Sequence, residues 1–110
     1  MAFDPDLVDR IEAALRQAGG DPVHRRMFGG IAFMIGGNMA IASSDTHMHV
    51  RVGPDGWAAA LARPEAREAD MTGRPMTGWV TIDEAADLDD DALLGWAGTA
   101  CRFAGTLPPK

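Results

Sequence analysis

The sequence predicts an α+β fold of two layers, with helices packed on one face of an antiparallel sheet of about five strands. Three observations lead to this prediction. Apolar residues recur at helical spacing near both ends of the chain, strand-like runs fill the middle, and short turns rich in glycine join those runs. Short connections make consecutive strands antiparallel neighbours. The predicted order is a helix, three or four strands, a helix, one or two strands and a last helix, in one domain over residues 1–110.

The first helix has signals at both ends. Asp4 suits the N-cap, because its carboxylate can accept hydrogen bonds from free backbone N–H groups, and Pro5 suits the first helical position. Gly19 and Gly20 are expected to end the helix. Between them runs one apolar stripe, formed by Leu7, Val8, Ile11, Ala14, Leu15 and Ala18.

The middle of the chain predicts a meander of short strands. The expected strands cover residues 23–28, 30–35, 39–42 and 47–52. Gly36-Gly37-Asn38 joins the second strand to the third, because glycine and asparagine tolerate the positive φ that a tight hairpin requires.

The second of these strands is apolar at every position from Ile31 to Ile35. A sheet with helices on one face would leave half of these side chains uncovered. Two outcomes are therefore open. A partner chain covers the other face in a homodimer, or the small residues and Met34 tolerate exposure.

The second half of the chain returns to helices. A short helix around Trp57 is closed by Pro64, and residues 65–76 look irregular or weakly extended. Residues 78–82 form a strand. The last helix is capped by Asp89, and its apolar stripe continues to Leu107, before Pro108-Pro109.

Composition and charge exclude several classes of protein. The formal net charge of −6 excludes a globally cationic surface for nucleic acid or an anionic membrane. The single cysteine excludes a disulfide framework and a cysteine-only metal site. Residues 28–44 form a charge-free stretch that is too polar to span a bilayer, and the acidic start does not resemble a signal peptide. We therefore expect a cytoplasmic location, by elimination.

The acidic excess is concentrated before the last helix. We interpret it as helix capping together with a solubilising face; the residues are Asp83, Glu84, Asp87, Asp89, Asp90 and Asp91.

Two histidines form the sharpest chemical pattern. Strand alternation places His47 and His49 on one face of the sheet, with Cα atoms about 7 Å apart, which is close enough to share a metal ion. A third ligand is needed, and His24, Asp45 or Cys101 could supply it. The alternative is two polar residues on a solvated face, and no cofactor is favoured.

Arginines suggest contacts with anions. The candidates for a phosphate or carboxylate contact are Arg25, Arg26, Arg51 and Arg74. Nucleic acid is a weak alternative, because stacking aromatics are not interleaved with these residues and the chain has no tyrosine.

No catalytic pattern emerges. The glycine pairs match neither the phosphate-binding loop nor the dinucleotide fingerprint. Cys101 lies on the apolar side of the last helix, where a buried, inert thiol is expected. The sequence therefore predicts a protein that is not an enzyme.

Several motifs together resemble one protein family, the N-terminal domain of the TfoX/Sxy competence regulators of bacteria. The resemblance covers nearly the whole chain. It rests on Arg26-Met27-Phe28-Gly29-Gly30, Ala60-Leu61-Ala62-Arg63-Pro64, Gly73-Arg74-Pro75-Met76-Thr77-Gly78-Trp79-Val80 and the closing residues 103–110.

The resemblance implies a two-layer α+β fold and a non-enzymatic regulatory or protein-interaction module. The longer regulators assist transcription of DNA-uptake genes and carry a second domain. The matched residues are expected to serve structure: the glycines allow unusual backbone angles or close packing, and Phe28, Met76 and Trp79 are expected in the core. A second expectation from the residues themselves is a small-ligand or metal site on the face of His47, His49 and Arg51.

Overall fold

A computed structural model describes residues 4–27, 29–69 and 76–109. Phe28, Gly73, Arg74 and Pro75 of the family motifs lie outside the described residues. The helices are α1 (Pro5–Gln17), α2 (Trp57–Leu61) and α3 (Asp90–Ala104). The strands are β1 (Val23–Met27), β2 (Gly30–Ile35), β3 (Asn38–Ser44), β4 (His47–Arg51), β5 (Arg67–Glu68) and β6 (Trp79–Ile82). The α+β prediction is confirmed.

The strands form one open antiparallel sheet of six strands, in the order β1-β2-β3-β4-β6-β5. The first four strands are the predicted meander. The additional strand is β5, only two residues long, within the segment predicted to be irregular or weakly extended. It pairs with β6, so that Arg67 lies opposite Thr81.

Capping residues fix the two long helices as the sequence predicts. The Asp4 carboxylate accepts hydrogen bonds from the N–H groups of Asp6 (3.0 Å) and Leu7 (3.3 Å). Asp89 accepts from the N–H of Ala92 at 2.7 Å. The end of α3 was predicted too late, at Leu107.

Helix α3 ends at Ala104 because the hydrogen-bond pattern tightens there. The N–H groups of Thr106 and Leu107 bond to carbonyls three residues back, rather than four. The Thr106 hydroxyl also donates to the Phe103 carbonyl at 2.6 Å.

One face of the sheet packs against helices α1 and α3. The core between the two layers contains side chains that are almost fully buried: Leu7, Ile11, Leu15, Phe33, Ile41, Met48, Val50, Val80, Ile82, Leu93 and Trp96. We call the opposite side of the sheet the open face. The apolar run of β2 divides between the two sides, with Ile31 and Phe33 toward the helices and Ala32 and Met34 toward the open face.

A β-bulge in β3 shifts its pairing register with β2 by one residue. Phe33 pairs with Ile41 but Met34 pairs with Met39, so Ala40 is the extra residue. Both Ala40 and Ile41 are buried as a result.

Gly30 is required by a close backbone approach. A Cβ atom at this position would lie 2.1 Å from the carbonyl oxygen of Ser43, on the neighbouring strand. This oxygen belongs to backbone that is paired in the sheet, so it cannot move away as the end of a flexible side chain could. This contact gives a structural reason for the last glycine of the motif that runs from Arg26 to Gly30.

We expect Gly30→Ala to lower the free energy of unfolding by about 2–3 kcal/mol, because β2 and β3 must separate to admit the methyl group. Urea unfolding followed by circular dichroism measures this. Gly95→Ala is the matched control: the exposed glycine lies within α3, and an added Cβ meets no atom within 4 Å. It should stabilise by about 0.5–1 kcal/mol. Equal effects of the two substitutions would contradict the close approach.

Candidate functional site

The open face contains a concave site with a volume of about 360 Å³. All six strands contribute to it. Its lining combines small residues, larger apolar side chains and several polar side chains. These residues are Met27, Gly30, Ile31, Ala32, Met39, Ala42, Ser43, Ser44, His47, His49, Arg67 and Thr81. Ala32 and Ala42 lie opposite each other on β2 and β3, so no long side chain fills the middle of the site.

The polar end of the site is set by strand register. His49 lies opposite Thr81, and Thr81 lies opposite Arg67, so three adjacent strands place these side chains in one row. Nδ1 of His49 is 2.8 Å from the Thr81 hydroxyl oxygen, and this hydrogen bond fixes the ring. Together with His47 and Asp83, these residues form what we call the polar cluster.

Asp83, which follows β6, links the two ends of the polar cluster. Its carboxylate accepts hydrogen bonds from Nε and Nη2 of Arg67, each at 2.7 Å. Its backbone carbonyl is 3.1 Å from Nδ1 of His47. Because a carbonyl only accepts, Nδ1 of His47 carries the proton in this bond. In a neutral His47 ring, Nε2 is then a hydrogen-bond acceptor.

Burial and charge set the protonation of the polar cluster. Burial lowers the pKa of His49 below its ordinary 6.5, and the charges of His47 and Arg67 lower it further, although Asp83 acts in the opposite direction. The hydrogen bonds from Arg67 lower the pKa of Asp83 below its ordinary 3.8. At neutral pH His49 is therefore neutral, and the positive charge of the Arg67 guanidinium compensates the negative charge of the Asp83 carboxylate.

The structure does not gather a third metal ligand at the two histidines. Within residues 4–27, 29–69 and 76–109, no three His, Cys, Asp or Glu side chains are placed to hold one metal ion. His24 lies on the helix side of β1, where its Nδ1 is 3.1 Å from Glu12. Asp45 is in an exposed turn and Cys101 is on α3.

The arginines predicted as anion contacts are dispersed. Arg25 lies on the edge strand β1 and Arg51 on β4, three strand positions away, which is roughly 14 Å. Arg26 lies opposite Ile31, on the helix side of β1.

Arg51 shares the face of the histidines but does not line the site. Its guanidinium carbon lies 5.8 Å from the Trp79 ring centre and 5.4 Å from that of Phe103, so it is held by two aromatic rings. Arg67 takes the position in the site that we expected for Arg51.

Two of the motif residues expected in the core are placed differently. Trp79 pairs with Arg51 on the open face and is half-buried, as is Met76. Gly29 and Gly78 have φ values of 76° and 88°, which explains the preference for glycine there.

Cys101 is half-buried on α3. Its thiol donates to the Leu15 carbonyl at 3.8 Å. Burial raises the pKa of this thiol above its ordinary 9.0, a direction that lowers its reactivity.

Sequence reasoning missed Arg67, Thr81 and Asp83. Thr81 alternates with Val80 and Ile82, so strand periodicity could have placed it on the open face. Arg67 had no such signal, because it lies in a strand of two residues. Asp83 was grouped with the acids that precede α3, but it pairs with Arg67.

Comparison with known proteins agrees with the motifs. The family model of the TfoX N-terminal domain matches residues 13–104, a stretch that contains all six strands and the polar cluster. A search of curated proteins finds no match. Among the described residues, no helix has the length and apolar character needed to cross a membrane.

We expect His49 to make stability depend on pH. The unfolded chain binds a proton near pH 6.5 but folded His49 binds it only at lower pH, so stability is full above 6.5 and falls as the pH drops toward the folded pKa. His49→Gln keeps a polar partner for Thr81 but cannot titrate. Urea unfolding at pH 7.5 and pH 5.5 should show a smaller loss in this variant than in the natural chain. An equal loss in both, or an NMR titration of His49 at or above 6.5, would contradict the assignment.

Proposed function

The chain belongs to the TfoX N-terminal domain family, and we propose that it is a non-enzymatic regulatory module that binds a small ligand on its open face. The TfoX N-terminal domain is not a known enzyme family. Membership of this family suggests a regulatory or competence-related role. The proposal adds a site and a class of ligand to that general role.

One observation carries the proposal: small residues in the middle of the sheet lie beside the polar cluster. A concave surface with a few convergent polar groups is the usual form of a ligand site. Within the cluster, His49 and the fully buried Thr81 are already hydrogen-bonded to each other, so their positions are fixed before a ligand binds. Ligand binding gives a reason for this arrangement.

Charge and size define the class of ligand. Arg67 and Asp83 compensate each other, and His49 is neutral at neutral pH, so the site does not favour a strongly charged molecule. The volume is at the small end of the range for ligand pockets. Ala42 and Met39, both half-buried, offer apolar contacts to a flat ring, while the imidazoles offer hydrogen bonds. We therefore propose an uncharged heteroaromatic molecule.

A homodimer through the open face stays a prediction from the sequence, and it would use the same surface. Ala32 is only 1% exposed and Met34 is half-buried, so the open face leaves little of the β2 side chains uncovered. This burial favours the small ligand over a second copy. Light scattering at micromolar concentration distinguishes them: the monomer mass supports the ligand site, and a dimer mass supports the second copy.

We expect heteroaromatic fragments to bind at this site. Indole, nicotinamide and purine, titrated separately into the ¹⁵N-labelled chain, should shift the backbone amide signals of Ala32, Ala42 and His49. Ala42→Leu should weaken the binding at least tenfold, because the larger side chain enters the cavity.

Ala58→Leu is the matched control. Ala58 is exposed on α2 and does not line the cavity, so its substitution should leave fragment binding unchanged. Thermal unfolding of both variants checks that they are folded. Shifts that map elsewhere, or equal binding by the two leucine variants, would contradict the proposed site.

A further inference from the structure

We propose that the two imidazoles of the polar cluster recognise one edge of the ligand ring, and that this edge carries an N–H donor for His47 and a hydrogen-bond acceptor for His49. A lactam edge, in which a ring N–H lies beside a carbonyl group, has this pattern. This ligand class rests on the proposed function, since it refers to the molecule bound in the same site. The hydrogen bonds that fix the two rings determine the pattern.

His47 presents a hydrogen-bond acceptor to the cavity. Its Nδ1 lies 3.1 Å from the backbone carbonyl oxygen of Asp83 and 3.6 Å from a carboxylate oxygen of the same residue. Both oxygens only accept hydrogen bonds, so Nδ1 carries the proton in the neutral ring. The other nitrogen, Nε2, then has a lone pair that can accept a hydrogen bond from a ligand N–H.

His49 presents the opposite group, a hydrogen-bond donor. Its Nδ1 is 2.8 Å from the hydroxyl oxygen of Thr81, which is fully buried. Within the part of the chain that the structure describes, this hydroxyl has no other hydrogen-bond partner. If Nδ1 carried the ring proton, the buried hydroxyl hydrogen would have no acceptor, which is costly. The hydroxyl therefore donates to Nδ1, and the proton of the neutral ring is on Nε2.

Both Nε2 atoms are available to a bound molecule. The two rings line the cavity, and neither Nε2 atom has a hydrogen-bond partner among the described residues. Neither atom is sealed in the interior, because in these same residues Ser43 Oγ is the one buried side-chain nitrogen or oxygen without a partner. Alternate residues of a strand have Cα atoms about 7 Å apart, so two hydrogen bonds of about 2.9 Å can converge on one edge of a ring.

Arg67 is already engaged within the chain. Its Nε and Nη2 each donate to the Asp83 carboxylate at 2.7 Å, and its Nη1 donates to the Glu68 carbonyl at 3.3 Å. Each guanidinium nitrogen therefore has an acceptor before a ligand enters. Recognition by the two neutral imidazoles agrees with an uncharged ligand.

The tautomers of the two histidines are tested in the ligand-free chain. Two-dimensional ¹H–¹⁵N spectra of the imidazole rings at pH 7.5 should show His47 protonated mainly on Nδ1 and His49 mainly on Nε2. The same tautomer in both rings would overturn the inference, whether or not a ligand binds.

Three bicyclic compounds test the ligand edge. Isoquinolin-1-one has the lactam edge, 2-methylisoquinolin-1-one lacks the N–H, and isoquinoline lacks both the N–H and the carbonyl. Titrations followed by the amide signals of Ala32, Ala42 and His49 should show that the lactam binds about tenfold more tightly than either of the others. One of these two is larger than the lactam and the other is smaller, so size does not explain weaker binding of both.

Two variants assign each hydrogen bond to its histidine. His47→Phe should remove the preference for the lactam over its methylated form. His49→Phe should keep this preference and weaken both compounds, because both have the carbonyl acceptor. His24→Phe is the matched control, since His24 is bonded to Glu12 on the helix side of β1 and does not line the cavity. It should leave all affinities unchanged, and thermal unfolding checks that each variant is folded.

The outcomes distinguish the lactam edge from the proposed function. Equal binding of the three compounds at the site, or a preference that survives His47→Phe, would overturn the lactam edge and retain the ligand site. If neither these compounds nor indole, nicotinamide and purine shift the signals of the site, the proposed function fails as well.

Discussion

The packing of one face of the sheet against α1 and α3 is the interaction on which the rest of the structure depends. Phe33, Ile41 and Val50 lie on adjacent strands and are fully buried beneath the helices. Since side chains alternate along a strand, the burial of these residues places their chain neighbours on the other face of the sheet. Ala32, Ala42 and His49 therefore form a second row, on the open face. The functional surface is thus a direct consequence of the core.

Pairing register then gives the open face its chemistry. The row Ala32, Ala42 and His49 continues through Thr81 to Arg67, so its apolar half and its polar half lie on one line across the sheet. A shift of one residue in β6 would replace Thr81 by Val80 or Ile82 and would bury the hydroxyl in the core. Asp83 secures the end of this row, through its two hydrogen bonds with Arg67.

Much of the fold could be predicted from the sequence, because its signals are local. Asp4 and Asp89 cap helices in the predicted positions, and alternation around Met48 and Val50 correctly separates the two faces of β4. The site was predicted only in part. His47 and His49 are at its polar end, but Arg67 depends on the pairing of a two-residue strand, and no local pattern indicates that pairing. Arg51 is on the predicted face, but strand alternation gives no indication of the two aromatic rings beside its guanidinium.

Cysteine accessibility tests most directly whether the open face is uncovered. In a chain that carries Cys101→Ser, the variants Ala42→Cys and Ile41→Cys place thiols on neighbouring residues that point to opposite sides of β3. The account predicts that the Ala42→Cys thiol reacts with Ellman's reagent within tenfold of the rate of free cysteine, and that the Ile41→Cys thiol reacts only when the chain unfolds. Equal protection of both thiols at micromolar concentration would contradict it, because the face that should be open to a ligand would then be covered.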